Sequence, residues 1–409
     1  MFFHVDVNSA YLSWEASYRL MRGEELDLRT IPSAIGGNPE KRRGIILAKS
    51  MPAKAYGIQT GETLVTAFSK CRGLTVVAPN FTLYQKCSAA LTELLKSYTP
   101  KVRAFSIDES FLDMGSVKEP MALADQLRQE VENTLGFTVN VGVGPNKLLA
   151  KMASDFKKPN RVHSLFYEEI PQKMWPLPVG ELFMVGRKTQ EKLLLMGIET
   201  IGDLAGADAQ LLYRTMKSHG LLIHEYANGR EFSSIESYSP FEAKGVGNST
   251  TLPRDIEDKE LLELYLLGIS EMVSFRLRAI NKMSYVMSIH YRDRNFKTRR
   301  LQRKLSAPLD ATPSIYKQAK LLFYELWEKE PLRQIGISLS ELVGNQSYEQ
   351  SFLDEDQEKL RKVDATIDDL RNRYGKQIIQ RASFLYAPVD PMIGGVGEDK
   401  NDLILTSKL

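Results

Sequence analysis

Three acidic residues are the strongest candidates for chemistry in this sequence. Asp6 ends a short apolar stretch near the N-terminus, and Asp108 and Glu109 are adjacent much further along the chain. Carboxylates brought together repel one another and their pKa values rise unless a cation is bound. Mg²⁺ suits such a place, because this hard ion takes a few carboxylates and completes its shell with water and substrate phosphates. The residues predict a site for two Mg²⁺ ions, with the backbone carbonyl of Val7 as a further ligand.

Spacing alone leaves other interpretations open. Acidic residues are common in hairpin turns, so Asp108 and Glu109 could simply fill one. Other families also place carboxylates on similar sheets, nucleotide cyclases among them, and spacing does not separate these classes.

The elements that must position the carboxylates follow a β-α-β-β-α-β order. Apolar periodicity predicts strands at 2–7, 102–107, 110–114 and 137–143, with helices after the first strand and over Leu123–Leu135. This is the split βαβ, or ferredoxin-like, arrangement. It can bring the end of its first strand beside the turn between its second and third strands. We therefore expect Asp6 to lie next to Asp108 and Glu109.

The same order of elements recurs towards the C-terminus. Strands are predicted near 244–252, 283–292, 296–305 and 333–341, with helices after the first and third. A helical block at about 166–235 separates the two units. From about residue 346 the chain is acidic and is expected to be looser, with one amphipathic helix near 355–373. The prediction is a multidomain α+β protein.

Composition narrows the class of protein. At 409 residues the chain is too long for one compact core. Its two cysteines, Cys71 and Cys87, have no metal-binding spacing and suit a reducing cytosol. No apolar run approaches the roughly 20 residues that span a bilayer, so we expect a cytoplasmic monomer without a membrane partner. The net charge of +3 does not by itself indicate a polyanionic partner.

Four segments in order identify a family resemblance. They are His4–Tyr11, Phe105–Phe111, Val141–Ser154 and Lys157–Asn160. Together they resemble the Y-family DNA polymerases, and the likeness covers about residues 1–345. It implies a right-hand polymerase with a palm at 1–25 and 77–165, fingers at 26–76, a thumb at 166–235, a little finger at 243–345 and a tail at 346–409.

The resemblance also implies an activity. The chain would be a DNA-directed DNA polymerase that adds dNTPs to a primer 3′ end with Mg²⁺, at low fidelity, in translesion synthesis and DNA repair. Asp6, Asp108 and Glu109 would be its catalytic residues. The rival from another class is a polymerase-shaped scaffold that binds primer-template DNA or recruits partners without catalysis, since a fold does not guarantee a function.

Nucleotide contacts follow from matching positions. Tyr11 corresponds to the steric gate that excludes a ribose 2′-hydroxyl, and Lys158 to a triphosphate-binding lysine. In the fingers, Met51 and Lys54 stand where many members have Tyr and Arg, so a hydroxyl is lost and a bidentate guanidinium becomes a point charge. Lys54 can still meet the triphosphate. Asn8 suggests the UmuC-like branch, because the DinB-like branch usually has Asp there.

The thumb carries a candidate phosphate-binding turn. Leu182–Thr189 resembles a helix-hairpin-helix, in which backbone N–H groups at a helix N-terminus hold phosphate. Gly186, Arg187 and Lys188 are its predicted DNA contacts, although Met184 replaces the usual first glycine. A plain helical turn remains an alternative.

The little finger carries a basic surface. Tyr285, Met287, Ile289 and Tyr291 are predicted to face the core, whereas Arg300, Gln302 and Lys304 share a face without apolar side chains. Such a face can be merely solvated, or can protect an edge strand. Its continuation across two strands favours DNA binding that weakens with salt. Beyond it, Gln346–Leu353 is a degenerate candidate for binding a sliding clamp, and a polar linker is as good an interpretation.

Overall fold

The computed structural model describes residues 1–37, 44–231, 243–345 and 355–392. Of these, residues 1–36 and 46–231 form one compact unit, and residues 243–345 and 355–392 form another. Both units combine sheets with helices, which confirms the predicted α+β class.

The elements of the first unit alternate between short strands and helices. In chain order they are β1 (Phe2–Val7), α1 (Ala10–Met21), β2 (Ser33–Gly36), β3 (Ile46–Lys49), α2 (Met51–Ala55), α3 (Leu64–Lys70), β4 (Thr75–Val77), α4 (Phe81–Lys96), β5 (Val102–Ala104), β6 (Glu109–Asp113), α5 (Pro120–Leu135), β7 (Val139–Gly144), α6 (Lys147–Asp155), β8 (Val162–Ser164), α7 (Ile170–Lys173), α8 (Arg187–Leu195), α9 (Ile201–Gly206), α10 (Ala209–Met216) and α11 (Ser218–Ala227). Two 3₁₀ turns, Tyr167–Glu169 and Val179–Glu181, flank α7.

The main sheet has the strand order β5-β6-β1-β7-β8. Its central strand, β1, pairs antiparallel with β6 and β7, as a ferredoxin-like sheet requires. Two details differ from the prediction. Strand β5 ends at Ala104 rather than 107, and β8 adds a parallel strand beside β7. A three-residue strand is too short for its periodicity to be read from sequence.

The two faces of β1 have different partners. Phe3, Val5 and Val7 are buried in an apolar core to which α4 and α5 also contribute. His4 and Asp6 alternate with them and lie on the side covered by α6, which packs on β1 and β7. This close packing requires glycine on β7, because a Cβ on Gly142 would lie 1.9 Å from a backbone oxygen of α6.

The segment predicted as fingers has its own small sheet. Strands β3, β2 and β4 pair in that order, and α2 and α3 complete a separate core of residues such as Ile46, Ile58 and Leu64. Strand β4 crosses the boundary predicted at 76/77. The helices from α7 to α11 enclose another core, which includes Leu193, Leu204 and Ile223.

The second unit repeats the order of elements but not the order of strands. It contains β9 (Gly245–Ile256), α12 (Lys259–Ala279), β10 (Lys282–Asp293), β11 (Thr298–Leu309), α13 (Thr312–Leu326), β12 (Leu332–Gly344) and α14 (Glu355–Tyr374). Its sheet runs β11-β10-β12-β9, so the first strand lies at an edge and not at the centre. Helices α12 and α13 contribute to one core with the sheet. Tyr285 lies outside this core because β10 has a bulge between Ser284 and Val286.

The chain after residue 354 is more ordered than its composition predicted. The helix expected near 355–373 is α14. The prediction of a looser tail is wrong for 355–392, because this segment packs against helices of the second unit. Arg278 of α12 reaches Asp368 at 2.7 Å, and Arg381 reaches the buried Glu271 at 2.8 Å. Phe384 and Val389 join the sheet's core. None of the helices within the described ranges is long and apolar enough to cross a bilayer.

Candidate active site and nucleic-acid-binding surfaces

The sheet brings the three predicted carboxylate residues together. Glu109, the first residue of β6, lies directly opposite Asp6 of β1 in the antiparallel ladder. The backbone N–H of Val7 donates to the carbonyl oxygen of Asp108 at 3.0 Å, which fixes the preceding turn against the end of β1. Paired residues on neighbouring strands share a face of the sheet, so the Asp6 and Glu109 side chains point the same way.

Two lysines lie against these carboxylates. Lys158 Nζ is 2.6 Å from Asp6 Oδ2 and 2.8 Å from Asp155 Oδ1. Lys151 Nζ, on α6, is 3.0 Å from Glu109 Oε1 and 3.1 Å from Asp155 Oδ2. The ammonium groups therefore neutralise part of the negative charge that the sheet collects.

Burial and neighbouring charges shift the pKa values of Asp6, Glu109 and Lys158 in opposite directions. Burial raises the pKa of Asp6 in spite of the two nearby lysines. Burial alone would also raise the pKa of Glu109, but His4 and Lys151 outweigh it and hold this pKa at about 2. Burial would lower the pKa of Lys158, yet its two aspartate partners raise it to about 12. Glu109 and Lys158 are therefore charged at neutral pH.

The carboxylates do not form a ready-made metal cage. Across the described ranges, no three His, Cys, Asp or Glu side chains are grouped so that they could hold a metal ion. Lys158 contacts Asp6, and Asp108 Oδ1 accepts a hydrogen bond from Ser106 Oγ at 2.6 Å. The donor set itself is of the right chemistry for Mg²⁺, because all its side-chain atoms are hard carboxylate oxygens.

The residues predicted to contact the nucleotide have different surroundings in the structure. Half-buried Tyr11 stacks on Tyr84, with ring centroids 4.6 Å apart and an interplanar angle of 11°. Burial raises the pKa of Tyr11, and the charge of Asp108 raises it further. Lys54 is exposed on α2 and makes no ion pair with the carboxylates in the part of the chain described. Met51 is also exposed.

Several residues at the site were not predicted from the sequence. His4 is fully buried, with Nδ1 2.8 Å from Ser154 Oγ and Nε2 3.6 Å from Glu109 Oε2. The sequence does contain features that could have predicted two of them. His4 alternates with Asp6 along β1 and so shares its face, and Lys151 lies four residues before Asp155 on one helix face. The buried amide of Asn140 gave no comparable signal.

The hairpin predicted at Leu182–Thr189 leads into a helix, as expected. Gly186 is the N-cap of α8, and Arg187 and Lys188 are its exposed first residues. The Gly186 carbonyl accepts the first hydrogen bonds of the helix from the N–H groups of Thr189 and Gln190, so the N–H groups of Arg187 and Lys188 before them are oriented to donate to an anion. Met184, which replaces the usual glycine, has a φ of +72° and lies in the left-handed region.

We expect Met184→Gly to stabilise the protein by about 0.5–1 kcal/mol. A left-handed conformation costs a non-glycine residue roughly 1–2 kcal/mol. Glycine avoids this cost, but its greater freedom in the unfolded chain offsets part of the gain in stability. The Met184 side chain is 49% exposed, so little packing is lost. Urea denaturation of both proteins measures the difference, and a less stable glycine variant would contradict it.

One face of the sheet in the second unit is polar. Arg300 and Gln302 of β11 lie opposite His290 and Ser288 of β10, and Arg300 Nε donates to Ser288 Oγ at 2.9 Å. Thr298, Arg300, Gln302 and Lys304 are all exposed, as predicted from their alternation. Lys304 is 3.2 Å from Glu341, so its charge is partly compensated.

Basic residues on the two faces of this sheet differ in their partners. On the helix-covered side, Arg299 pairs with Glu328 and Arg303 with Glu325. On the polar face, neither Arg292 nor Arg300 has a carboxylate partner among the residues that the structure describes. Uncompensated guanidinium groups on an exposed face are suited to binding phosphate.

Comparison with known families agrees with this architecture. Residues 5–155 match the impB/mucB/samB family, residues 243–352 match its C-terminal domain, and residues 167–198 match the IMS family HHH motif. DNA polymerase IV of Clostridium acetobutylicum is 43% identical over 387 residues, which are 94% of this chain and 98% of that protein. The chain belongs to the impB/mucB/samB family of Y-family DNA polymerases.

Other relatives support the same assignment. DNA polymerase IV 1 of Bacillus subtilis strain 168 is 35% identical over 94% of this chain and 92% of its own. A solved Y-family DNA polymerase chimera has the same fold, with a TM-score of 0.73 and 21% identity over 84% of this chain and 99% of that chain. The DNA polymerase IV relatives make the polymerase DinB-like, so the indication from Asn8 of a UmuC-like branch is wrong.

Proposed function

We propose that this polymerase extends a primer 3′ end on a DNA template by two-metal nucleotidyl transfer, at low fidelity, as a translesion enzyme of DNA repair. The observation that carries the proposal is the juxtaposition of Asp6 and Glu109 across β1 and β6, with Asp108 in the adjoining turn. In a Y-family chain these are the residues expected to act on the reacting phosphate.

The carboxylates are proposed to hold two Mg²⁺ ions, with the Val7 carbonyl as an additional ligand. The donor oxygens fit this hard ion, and Lys158 already places a cation 2.6 Å from Asp6. When bound, the metal supplies charge stabilisation for the attacking 3′-oxygen and the leaving pyrophosphate. Phosphoryl transfer needs little more from the protein than positioning and charge.

The other site residues have roles in binding the incoming nucleotide. Lys158 and Lys54 would bind the triphosphate as point charges, and Tyr11 would exclude a 2′-hydroxyl beneath the sugar. Tyr11 is suited to this role because its ring stacks on that of Tyr84, which restricts its movement. Met51 offers no hydroxyl, so we expect weaker nucleotide affinity than a Tyr at this position would give.

We propose the domain assignment made from the sequence, with a palm at 1–25 and 77–165, fingers at 26–76, a thumb at 166–235 and a little finger at 243–345, except that Val77 belongs with the fingers because β4 pairs in their sheet. DNA would contact Gly186, Arg187 and Lys188 of the thumb by its phosphates. It would contact the polar face of the little finger through Arg300, Gln302 and Lys304. The candidate clamp-binding peptide at 346–353 lies outside the described residues and stays a prediction, as does a monomeric state.

We expect the double variant Arg292→Gln, Arg300→Gln to bind primer-template DNA more weakly, with a shallower dependence on salt. Each phosphate contact contributes about 0.9 to the slope of log affinity against log salt, so the slope should fall by about 2. The matched control is Arg299→Gln, Arg303→Gln, which removes the same charge from the helix-covered face. Equal effects of both pairs on the slope would show that net charge, and not this face, determines binding.

Primer extension on an undamaged template with Mg²⁺ and all four dNTPs tests the proposed function. Extension by the wild-type chain supports it, and templates with a lesion then test the bypass role. A folded, DNA-binding protein that extends no primer, even with Mn²⁺, would favour the non-catalytic scaffold. A nucleotide cyclase would bind DNA poorly at any salt concentration.

A further inference from the structure

A pair of buried amides, Asn8 and Asn140, holds the loop that carries Lys158. We infer that this pair is a positioning device, which fixes the Lys158 loop for the incoming triphosphate and thereby sets the affinity of the enzyme for dNTP. The inference rests on the proposed role of Lys158 in binding the triphosphate. Neither asparagine has a part in the chemistry described above.

Asn140 uses its whole hydrogen-bonding capacity on this loop and its partner. Its side chain is fully buried, and it lies opposite Asp6 in the ladder between β1 and β7. Asn140 Nδ2 donates to the carbonyl oxygens of Ser154 at 3.0 Å and Lys157 at 2.9 Å. Asn140 Oδ1 accepts from the backbone N–H of Arg161 at 3.2 Å. Its second acceptor site takes Asn8 Nδ2, also at 3.2 Å, so both donors and both lone pairs are used.

Asn8 holds the other part of the loop. Its Oδ1 accepts from the backbone N–H of Asn160 at 2.9 Å, while its Nδ2 binds Asn140. Asn160 has a φ of +56°, a left-handed conformation that the tertiary structure must support. The two amides together therefore bind backbone groups on both sides of Lys158.

This arrangement favours binding because it limits the freedom of the loop before the nucleotide arrives. Lys158 has a flexible side chain, 38% exposed, whose ammonium group can be placed only as accurately as its backbone. A loop that is already ordered loses less entropy when its lysine binds a phosphate. An interaction made equally in the ground and transition states changes KM and leaves kcat unaltered.

The hydrogen bonds of this pair require an amide side chain both at position 8 and at position 140. In an Asn8→Asp variant, a carboxylate oxygen would face Asn140 Oδ1, and two acceptors without a hydrogen between them repel. Asn140→Ser removes the amide and leaves the Lys157 carbonyl without its donor. The two substitutions disturb the loop from opposite sides, and neither alters a proposed metal ligand or Lys158.

Single-nucleotide insertion kinetics with the full-length enzyme test the inference. We expect Asn140→Ser and Asn8→Asp each to raise the KM for dNTP about tenfold, with kcat changed less than about threefold. In a Lys158→Gln background, either substitution should raise KM by less than about twofold, because coupled residues are not additive. A full effect in that background would overturn the inference.

Hydrogen exchange gives a readout that does not depend on activity. The backbone amide of Arg161 should exchange at least about tenfold faster in both variants, while those of α6 keep their wild-type protection. If α6 also loses protection in Asn140→Ser, that substitution disturbs more than the loop. The test of the positioning role then rests on Asn8→Asp, which is the smaller change. Unchanged KM and exchange in Asn8→Asp, with KM raised by Lys158→Gln, would refute the positioning role alone. No effect of Lys158→Gln on KM would instead refute the proposed role of Lys158.

Discussion

Primer extension is expected to fall about 1,000-fold in an Asp108→Asn variant, with DNA affinity unchanged. The substitution keeps the shape of the side chain and its hydrogen bond with Ser106, but removes the charge needed to hold a metal ion. Loss of several kcal/mol of charge stabilisation corresponds to roughly three powers of ten in rate. Single-turnover insertion at saturating dNTP measures the effect on the chemical step.

Asp155→Asn is the matched control for this variant. Asp155 contacts Lys151 and Lys158, the two lysines that lie against Asp6 and Glu109, but it is not a proposed metal ligand. We expect its insertion rate to stay within about tenfold of wild type, since it affects only the pairing of those lysines. If Asp155→Asn were as damaging as Asp108→Asn, the loss of any negative charge near this site, and not the loss of a metal ligand, would account for both results.

Tyr11→Ala is expected to raise the ratio of rNTP to dNTP incorporation by roughly 100-fold. A 2′-hydroxyl forced against a fixed ring is an overpacking clash of about 1–3 kcal/mol, and 1.4 kcal/mol is a tenfold change in rate. The ring is fixed because Tyr84 stacks on it at 4.6 Å. The ratio of kcat/KM values for one rNTP and its dNTP is the appropriate measure, because it does not depend on the fraction of active enzyme.

Tyr18→Ala provides the control for this prediction. Tyr18 lies on the same helix, α1, but is 37% exposed and contacts Arg22 and not the carboxylates. Its substitution should leave sugar discrimination unchanged. Unaltered discrimination in Tyr11→Ala would show that another residue excludes ribose.

The position of the carboxylates could be predicted from the sequence, whereas the groups around them could not. Alternating apolar residues identify β1, and the order of elements then places Asp6 beside Glu109. The contacts of Lys151 depend on how closely α6 approaches the sheet over Gly142, which is a tertiary property. The same is true of Asn140, whose partners on the Lys158 loop lie beyond the next helix.

The end of the chain shows why composition misleads about order. Residues 355–392 are polar enough to suggest a loose tail, yet their charges are paired with charges distant in sequence. Arg278 meets Asp364 and Asp368, while Glu271 meets Arg371 and Arg381. Such pairs have no local periodicity. The order of strands in the second sheet was likewise not predicted, because identical element orders allow different pairings.

The most direct test of the two-metal account is a crystal structure of the enzyme with primer-template DNA, a non-hydrolysable dNTP and Mg²⁺. We predict two ions about 4 Å apart, bound by Asp6, Asp108 and Glu109. Lys158 should have left Asp6 and should contact the triphosphate. A complex that holds both DNA and nucleotide, yet has no ion at the carboxylates and keeps Lys158 on Asp6, would contradict the account.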